Sequence, residues 1–190
     1  VLSSVVSVMY RSALRKAGTA FFENEENAQF FLHKNIISAQ QMKVLPGAGI
    51  NLDEYPYVPM KDDGVCSFLF VGRIMKEKGV DEFFAAAKTV KAELGEKVAF
   101  DVVGFYEDAY KETVDQLVAD SVIKFHGFQT DVHPFYEAAD CVVLPSYHEG
   151  MSNVLLEGAA TGRALITSDI PGCREAVEDG VSGYLCPAQD

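Results

Sequence analysis

The sequence predicts an α/β protein built on a doubly wound parallel sheet. Three observations carry that prediction. From Val65 onward, short apolar runs alternate with segments whose apolar residues recur at helical spacing. The runs are apolar throughout rather than alternately polar, as strands covered on both faces are, and repeated strand–helix units place helices over both faces through right-handed crossovers. The composition, 48% hydrophobic and 23% charged over 190 residues, is that of a folded globular chain long enough to bury a core.

The elements follow in order. Val5, Val6, Met9, Ala13 and Ala17 outline an amphipathic helix that also carries Arg11, Arg15 and Lys16. A short strand at Thr19–Phe22 and a helix around Glu25–His33 come next. Val44 and Leu45 lead into a segment with Pro46, Gly47, Gly49, Pro56 and Pro59, which reads as a connection between domains, with the boundary near Met60. Cys66–Val71 is then a continuous apolar strand. Val80, Phe83, Phe84, Ala87, Val90 and Leu94 mark a helix that Gly95 stops. The alternation continues as strand Val98–Val103, helix Glu107–Ala119, strand Val122–Phe125, a short helix near Val132–Ala139 and strand Cys141–Leu144. A helix from about Ser152 to Thr161, strand Ala164–Thr167, a short helix around Cys173–Glu178 and a strand near Tyr184–Cys186 complete the pattern.

Composition excludes several function classes. A formal net charge of −12 opposes binding to a phosphate backbone, so nucleic acid is not an expected partner. No apolar run reaches the roughly 20 residues of a transmembrane helix. Val1–Tyr10 lacks the pattern of a signal peptide, and Val1 reads as an internal cut, making the chain a fragment. Cys66, Cys141, Cys173 and Cys186 show no zinc-ligand spacing, and the three in strand-like surroundings read as reduced packing residues, which suits the cytoplasm.

In doubly wound sheets ligands bind beyond the carboxyl ends of the strands. The loop after the first strand of the sheet, Gly72-Arg73-Ile74-Met75-Lys76-Glu77-Lys78-Gly79, brackets Arg73 and Lys78 with glycines just before a helix. Flexible backbone, positive side chains and helix-terminal amides suit a diphosphate, although a solvated turn has the same appearance. The loop Pro145–Ser152 continues into a helix, and Glu149 and Glu157 flank the amides near Ser152, Asn153 and Val154. Carboxylates accept hydrogen bonds from sugar hydroxyls while amides and cations meet phosphate, so the two loops together match a nucleotide sugar. Alternatively, Glu149 interacts only with the helix dipole and Glu157 lies on a solvated face. His126 and His133 show no carboxylate or cysteine at ligand spacing and read as structural, whereas His148 neighbours Glu149 without a fixed role.

Gly72-Arg73 with Lys78-Gly79, Phe125-His126-Gly127-Phe128, Pro145-Ser146 with Glu149-Gly150, the pair Glu149 and Glu157, and Gly172 followed by Glu175 and Gly183 occur in an order that resembles one family. It is the retaining glycosyltransferases of GT-B fold, family 4 (glycosyl transferases group 1), in their Rossmann-like C-terminal donor-binding domain. The resemblance covers about Val65 to Pro187 and extends more weakly over Thr19–Tyr55. It implies that residues 1–60 are the tail of the N-terminal acceptor domain with the interdomain linker, and 61–190 the donor-binding domain.

The resemblance further implies that Arg73 and Lys78 hold the donor diphosphate and stabilise the departing nucleoside diphosphate without a metal or other cofactor. Glu149 would contact the transferred sugar, with the backbone of Gly150, Met151, Ser152, Asn153 and Val154 around sugar and phosphates. Glu157 would bind the ribose, the base would lie near the Gly127–Gln129 turn, read by backbone groups and by Gln129, and Gly72 would be among the donor-binding residues. The wording of Pro145–Asn153 and of Pro171-Gly172-Cys173-Arg174-Glu175 is similar to bacterial enzymes that transfer N-acetylhexosamines or galactose from UDP-sugars to lipid-linked or capsular glycans. The expected partners are thus a UDP-sugar and, through the missing domain, a glycan or lipid-linked acceptor, in the cytoplasm or at the inner face of the membrane. The 190 residues alone are expected to bind donor weakly and not to transfer sugar. A nucleotide-sugar epimerase of GT-B fold and a non-catalytic nucleotide-binding module are the alternatives. Gly158 departs from the alanine frequent in the family and implies close helix packing.

Overall fold

The computed structural model describes residues 2–190, so Val1, read above as an internal cut, lies outside the described residues. The chain divides into two compact units, Val1–Gly49 and Ile50–Asp190.

In the smaller unit, α1 (Leu2–Leu14), β1 (Ala20–Phe22), α2 (Glu25–His33) and β2 (Met42–Val44) follow one another, and β1 pairs with β2 in parallel. Asn24 caps α2 by accepting from Asn27 N at 2.9 Å, which satisfies one of the orphan amides of the first turn. Arg11 ties α1 to the end of α2 by donating to Lys34 O at 2.7 Å and Asn35 O at 2.8 Å. β2 was not expected from the sequence, which read Val44 and Leu45 only as the lead into the connecting segment.

The larger unit contains β3 (Cys66–Val71), α3 (Val80–Leu94), β4 (Val98–Val103), α4 (Lys111–Ala119), β5 (Lys124–Phe125) and α5 (His133–Ala138). It continues with β6 (Cys141–Leu144), α6 (Asn153–Thr161), β7 (Ala164–Ser168) and β8 (Gly183–Cys186). Its six strands are all parallel and lie in the order β5-β4-β3-β6-β7-β8. The doubly wound α/β class expected from the sequence is therefore observed.

The core forms because α3 presents Val80, Phe83, Phe84 and Ala87 on one face, against Phe70 of β3 and Val102 of β4, all buried, with the Phe70 and Phe83 rings 5.4 Å apart. Each large apolar side chain so buried stabilises the fold by about 1.5–3 kcal/mol. Gly95, at φ 58°, ends α3 where the pattern stops.

Three expected elements are shorter in the structure. The helix expected over Glu107–Ala119 opens as a separate 3-10 turn at Asp108–Tyr110 before α4. The strand expected from Val122 begins only at Lys124, because Val122 N and Ile123 N donate back to Leu117 O at the end of α4 around Ser121, at φ 56°. Around Cys173–Glu178 there is a single 3-10 turn, Arg174–Ala176.

The units divide at Gly49 and Ile50, earlier than Met60, because the intervening segment packs on the larger unit. Val58 N donates to Thr161 O at 3.1 Å, the Tyr57 ring covers Gly162, and Tyr55 packs on the core. The buried guanidinium of Arg163 donates to Ala139 O at 2.7 Å, to Thr161 O at 2.9 Å and to Val58 O, fastening the segment further.

The strand order places the site. After β3 the chain builds outward through β4 and β5, then returns to β6 on the other side of β3 and builds outward through β7 and β8. The connections leaving β3 and β6 run in opposite directions and open a crevice at their carboxyl ends. Among the described residues, no helix is long and apolar enough to cross a membrane.

Candidate functional site

The loops leaving β3 and β6 are clasped together through their backbones. Tyr147 N donates to Glu77 O at 2.9 Å. Gly79, at φ 68°, sits so close to the second loop that a Cβ there would lie 2.6 Å from the Pro145 carbonyl carbon and collide with its oxygen. Only glycine combines that left-handed backbone with that approach.

The clasp brings Lys78 to Glu149. Lys78 Nζ donates to Glu149 Oε1 at 2.6 Å, and Ser146 Oγ donates to the same oxygen at 2.7 Å. The Lys78 and Glu149 side chains are 23% and 13% exposed, so the pair is largely shielded from water and its charge-assisted hydrogen bond is a strong one. Arg73 is exposed on the same loop.

Beyond Glu149 the chain turns into α6. Ser152 caps it, its Oγ accepting from Leu155 N at 3.4 Å, and its first turn holds no acidic residue to offset the positive helix end. Ser152 N donates to Gly172 O at 2.8 Å, and Gly172 presses onto Gly150, where a Cβ would lie 2.8 Å from the Gly150 carbonyl carbon. Gly172 N in turn donates to Glu175 Oε2 at 2.7 Å. Gly150 and Met151 are half-buried, Asn153 is exposed and Val154 packs against the core.

Glu157 lies within α6 and belongs to a different network. Tyr136 Oη donates to Glu157 Oε2 at 2.8 Å, and the Tyr55 phenol faces the same carboxylate closely enough to be raised by its charge. Burial first, and then the Glu157 charge, pushes the Tyr55 phenol up to about 12 and raises that of fully buried Tyr136 further.

Arg73, Gly72 and Gln129 meet at a third place, a cavity of about 240 Å³ beyond the ends of β3 and β4. Its other walls include Val71, Val103, Phe105, Phe128 and Val132. Gln129 Nε2 donates to His126 O at 2.6 Å, which holds the turn over the cavity. The rings of Phe105 and Phe128 at this cavity are both exposed; Phe128 belongs to the motif the sequence already offered, whereas Phe105 was not singled out although it follows Gly104 at the end of an apolar strand.

The sequence-predicted residues thus gather at one edge of the sheet in three groups: Lys78 with Glu149, Glu157 with its tyrosines, and Arg73 and Gly72 with Gln129. The histidines require a correction. His126 Nε2 lies 2.6 Å from Asp101 Oδ1 and His133 Nδ1 lies 2.7 Å from Asp131 Oδ1, so both have carboxylate partners that sequence spacing did not reveal. Asp101 comes from the adjacent strand β4, and Asp131 turns back onto His133 from two residues earlier. His148 is exposed. All four cysteines are free thiols, and burial pushes those of Cys141 and Cys173 up to about 12, away from nucleophilic chemistry. Among the described residues, no group of three His, Cys, Asp or Glu side chains could hold a metal ion.

The model of the family described as glycosyl transferases group 1 matches residues 66–190. The chain is 26% identical over 191 residues to the N,N'-diacetylbacillosaminyl-diphospho-undecaprenol alpha-1,3-N-acetylgalactosaminyltransferase of Campylobacter jejuni, covering 94% of this chain and 50% of that protein. It is 32% identical over 149 residues to glycogen synthase of Mycobacterium tuberculosis, covering 75% of this chain and 35% of the relative. The chain therefore spans half or less of the length of these relatives. Among solved structures, Anabaena Alr3699/HepE in complex with UDP and glucose aligns with a TM-score of 0.78 at 21% identity, over 97% of this chain and 54% of the other. At that identity the likeness shows the fold alone.

Proposed function

The chain belongs to the glycosyl transferases group 1 family, and from that footing we propose that it is the donor-binding part of a retaining, family 4 transferase of GT-B fold. The whole protein moves a hexose or N-acetylhexosamine from a UDP-sugar to a glycan or lipid-linked glycan acceptor, at the cytoplasmic side of the membrane. The observation that carries this reading is the convergence at the crevice between β3 and β6 of a clasped Lys78–Glu149 pair, the uncompensated start of α6 and the Arg73–Gln129 cavity. The C. jejuni relative, named as an N-acetylgalactosaminyltransferase with a diphospho-undecaprenol acceptor, supports the sugar and acceptor classes. The Anabaena structure, solved with UDP and glucose, supports the donor class.

In this reading Arg73 and Lys78 meet the diphosphate and stabilise its growing charge as UDP leaves, supplying the electrostatic role that a metal has elsewhere. Glu149 accepts from hydroxyls of the transferred sugar, and Gly150, Met151, Ser152, Asn153 and Val154 line sugar and phosphates. Glu157 accepts from the ribose, and the base enters the cavity beside Gly72 and Gln129. Residues 1–49 belong to the acceptor domain and the following segment to the linker.

The test is calorimetric binding of UDP to the intact protein, followed by transfer assays with a panel of UDP-sugars. Arg73→Ala is expected to weaken UDP binding about 10- to 100-fold, the loss of a charge-assisted hydrogen bond of about 1.5–3 kcal/mol. Glu149→Gln is expected to suppress transfer more than UDP binding. Unchanged UDP affinity and transfer in both variants would overturn the assignment, and epimerised donor formed without acceptor would identify an epimerase.

A further inference from the structure

We propose that Tyr136 and Tyr55 are positioning residues for Glu157, holding its carboxylate in the orientation that accepts the ribose hydroxyls of the donor. The inference rests on the reading of Glu157 as the ribose-binding group. A glutamate on a helix face turns freely about its side-chain bonds, and fixing it in one orientation costs rotamer entropy, which ordering by neighbours removes from the binding step.

The two phenols provide that ordering from separate elements. Tyr136, on α5, is the largest of the fully buried side chains, and its hydroxyl donates to Glu157 Oε2 at 2.8 Å. Phenylalanine would fill the same space without a polar atom to satisfy, and a buried hydroxyl is tolerated only with a partner. The hydroxyl finds that partner in Glu157. Tyr55, from the segment ahead of β3, is itself held in place. Its ring stacks on His133 with centroids 4.5 Å apart and 27° between planes, and meets the Tyr136 ring edge-on at 6.0 Å. His133 in turn is fixed by Asp131 at 2.7 Å. A carboxylate offers about four lone-pair sites, so the Tyr136 donor, with the Tyr55 phenol beside it, leaves acceptor capacity for a vicinal diol.

The experiment compares UDP with dideoxy-UDP, which lacks both ribose hydroxyls, in calorimetric binding to the intact protein. The wild type is expected to prefer UDP, and Glu157→Gln to abolish most of that preference. Tyr136→Phe and Tyr55→Phe are each expected to lower it about 3- to 10-fold, the share of the Glu157 ordering that each phenol supplies, while leaving affinity for dideoxy-UDP unchanged. In transfer assays the same two variants should raise KM for the donor and leave kcat unchanged. If both tyrosine variants keep the full preference while Glu157→Gln loses it, the positioning role is overturned. Equal weakening of UDP and dideoxy-UDP also overturns it, because a merely structural role predicts that pattern. A preference retained in Glu157→Gln overturns the ribose reading itself and the inference with it. Tyr55→Phe, at a half-buried position, keeps the test decisive if Tyr136→Phe does not fold.

Discussion

Replacing Gly79 by alanine tests the clasp between the two loops. Gly79 and Gly180 both have left-handed backbones, at φ 68° and 74°, but a Cβ at Gly180 meets nothing within 4 Å. Gly180→Ala should therefore cost only the left-handed backbone term, about 1–2 kcal/mol. At Gly79 the new carbon lies 2.6 Å from the Pro145 carbonyl carbon, whereas ordinary contact begins at 3.4 Å, a shortfall of 3.4 − 2.6 = 0.8 Å against backbone that cannot rotate away. Overpacking of this kind adds about 1–3 kcal/mol. For a chain of this size each kcal/mol lowers Tm by about 2–4 °C, so Gly79→Ala should melt about 2–12 °C below Gly180→Ala in thermal unfolding. Because the displacement separates Lys78 from Glu149, UDP affinity should also fall at least tenfold in Gly79→Ala and stay unchanged in Gly180→Ala. Equal melting temperatures with equal UDP affinity would refute the clasp as the element that assembles the site.

Two further outcomes are expected. Gly158→Ala gains up to about 1 kcal/mol in helix propensity but places its methyl 2.7 Å from Val142 Cγ2, on a β-branched side chain with little rotamer freedom, so urea denaturation should show a net loss of about 1 kcal/mol; stabilisation would show that β6 yields easily. Tyr55, Tyr110 and Tyr147 are held near 12 against an ordinary value of 10, in the first two by burial foremost and in Tyr147 by its hydrogen bond to Glu82. Their folded values are raised, so this contribution to stability is complete below pH 10 and is lost as pH rises from 10 through 12. Phenolate absorbance of the native protein should lag that of the urea-unfolded chain across that window, and superimposable curves would disprove it.

The sheet was legible in the sequence because burial on both faces leaves a local signature. Leu69 and Phe70 are neighbours on opposite faces of β3 and both are buried, which a half-exposed strand would not show. The loops that carry Arg73, Lys78 and Glu149 were legible for a related reason, since the ends of parallel strands are where side chains escape the core. What spacing could not supply was the pairing of side chains from different elements. Tyr136 lies 21 positions before Glu157, and Asp101 lies 25 positions before His126, so each pair meets only through the topology. The edge of the larger unit was missed similarly, because Arg163 looks like an ordinary surface cation until its guanidinium is seen buried against Val58 and Ala139.

The same topology bears on how the proposed donor is received. Lys78 and Glu149 were expected to face different parts of a ligand, one the diphosphate and the other the sugar, yet they bond directly to each other. A half-buried lysine or glutamate alone would lose hydration without compensation, and removing one partner of such a pair costs more than the pair contributes. Their bond keeps both charges at the crevice at low cost and fixes their separation. A diphosphate approaching from the Arg73 side would then share Lys78 while Glu149 keeps the Ser146 hydroxyl, an exchange of partners that leaves neither charge unmatched. That accounts for a cation and a carboxylate standing together at the mouth of a parallel sheet better than a stabilising role alone, since exposed surface offers both residues a less demanding place.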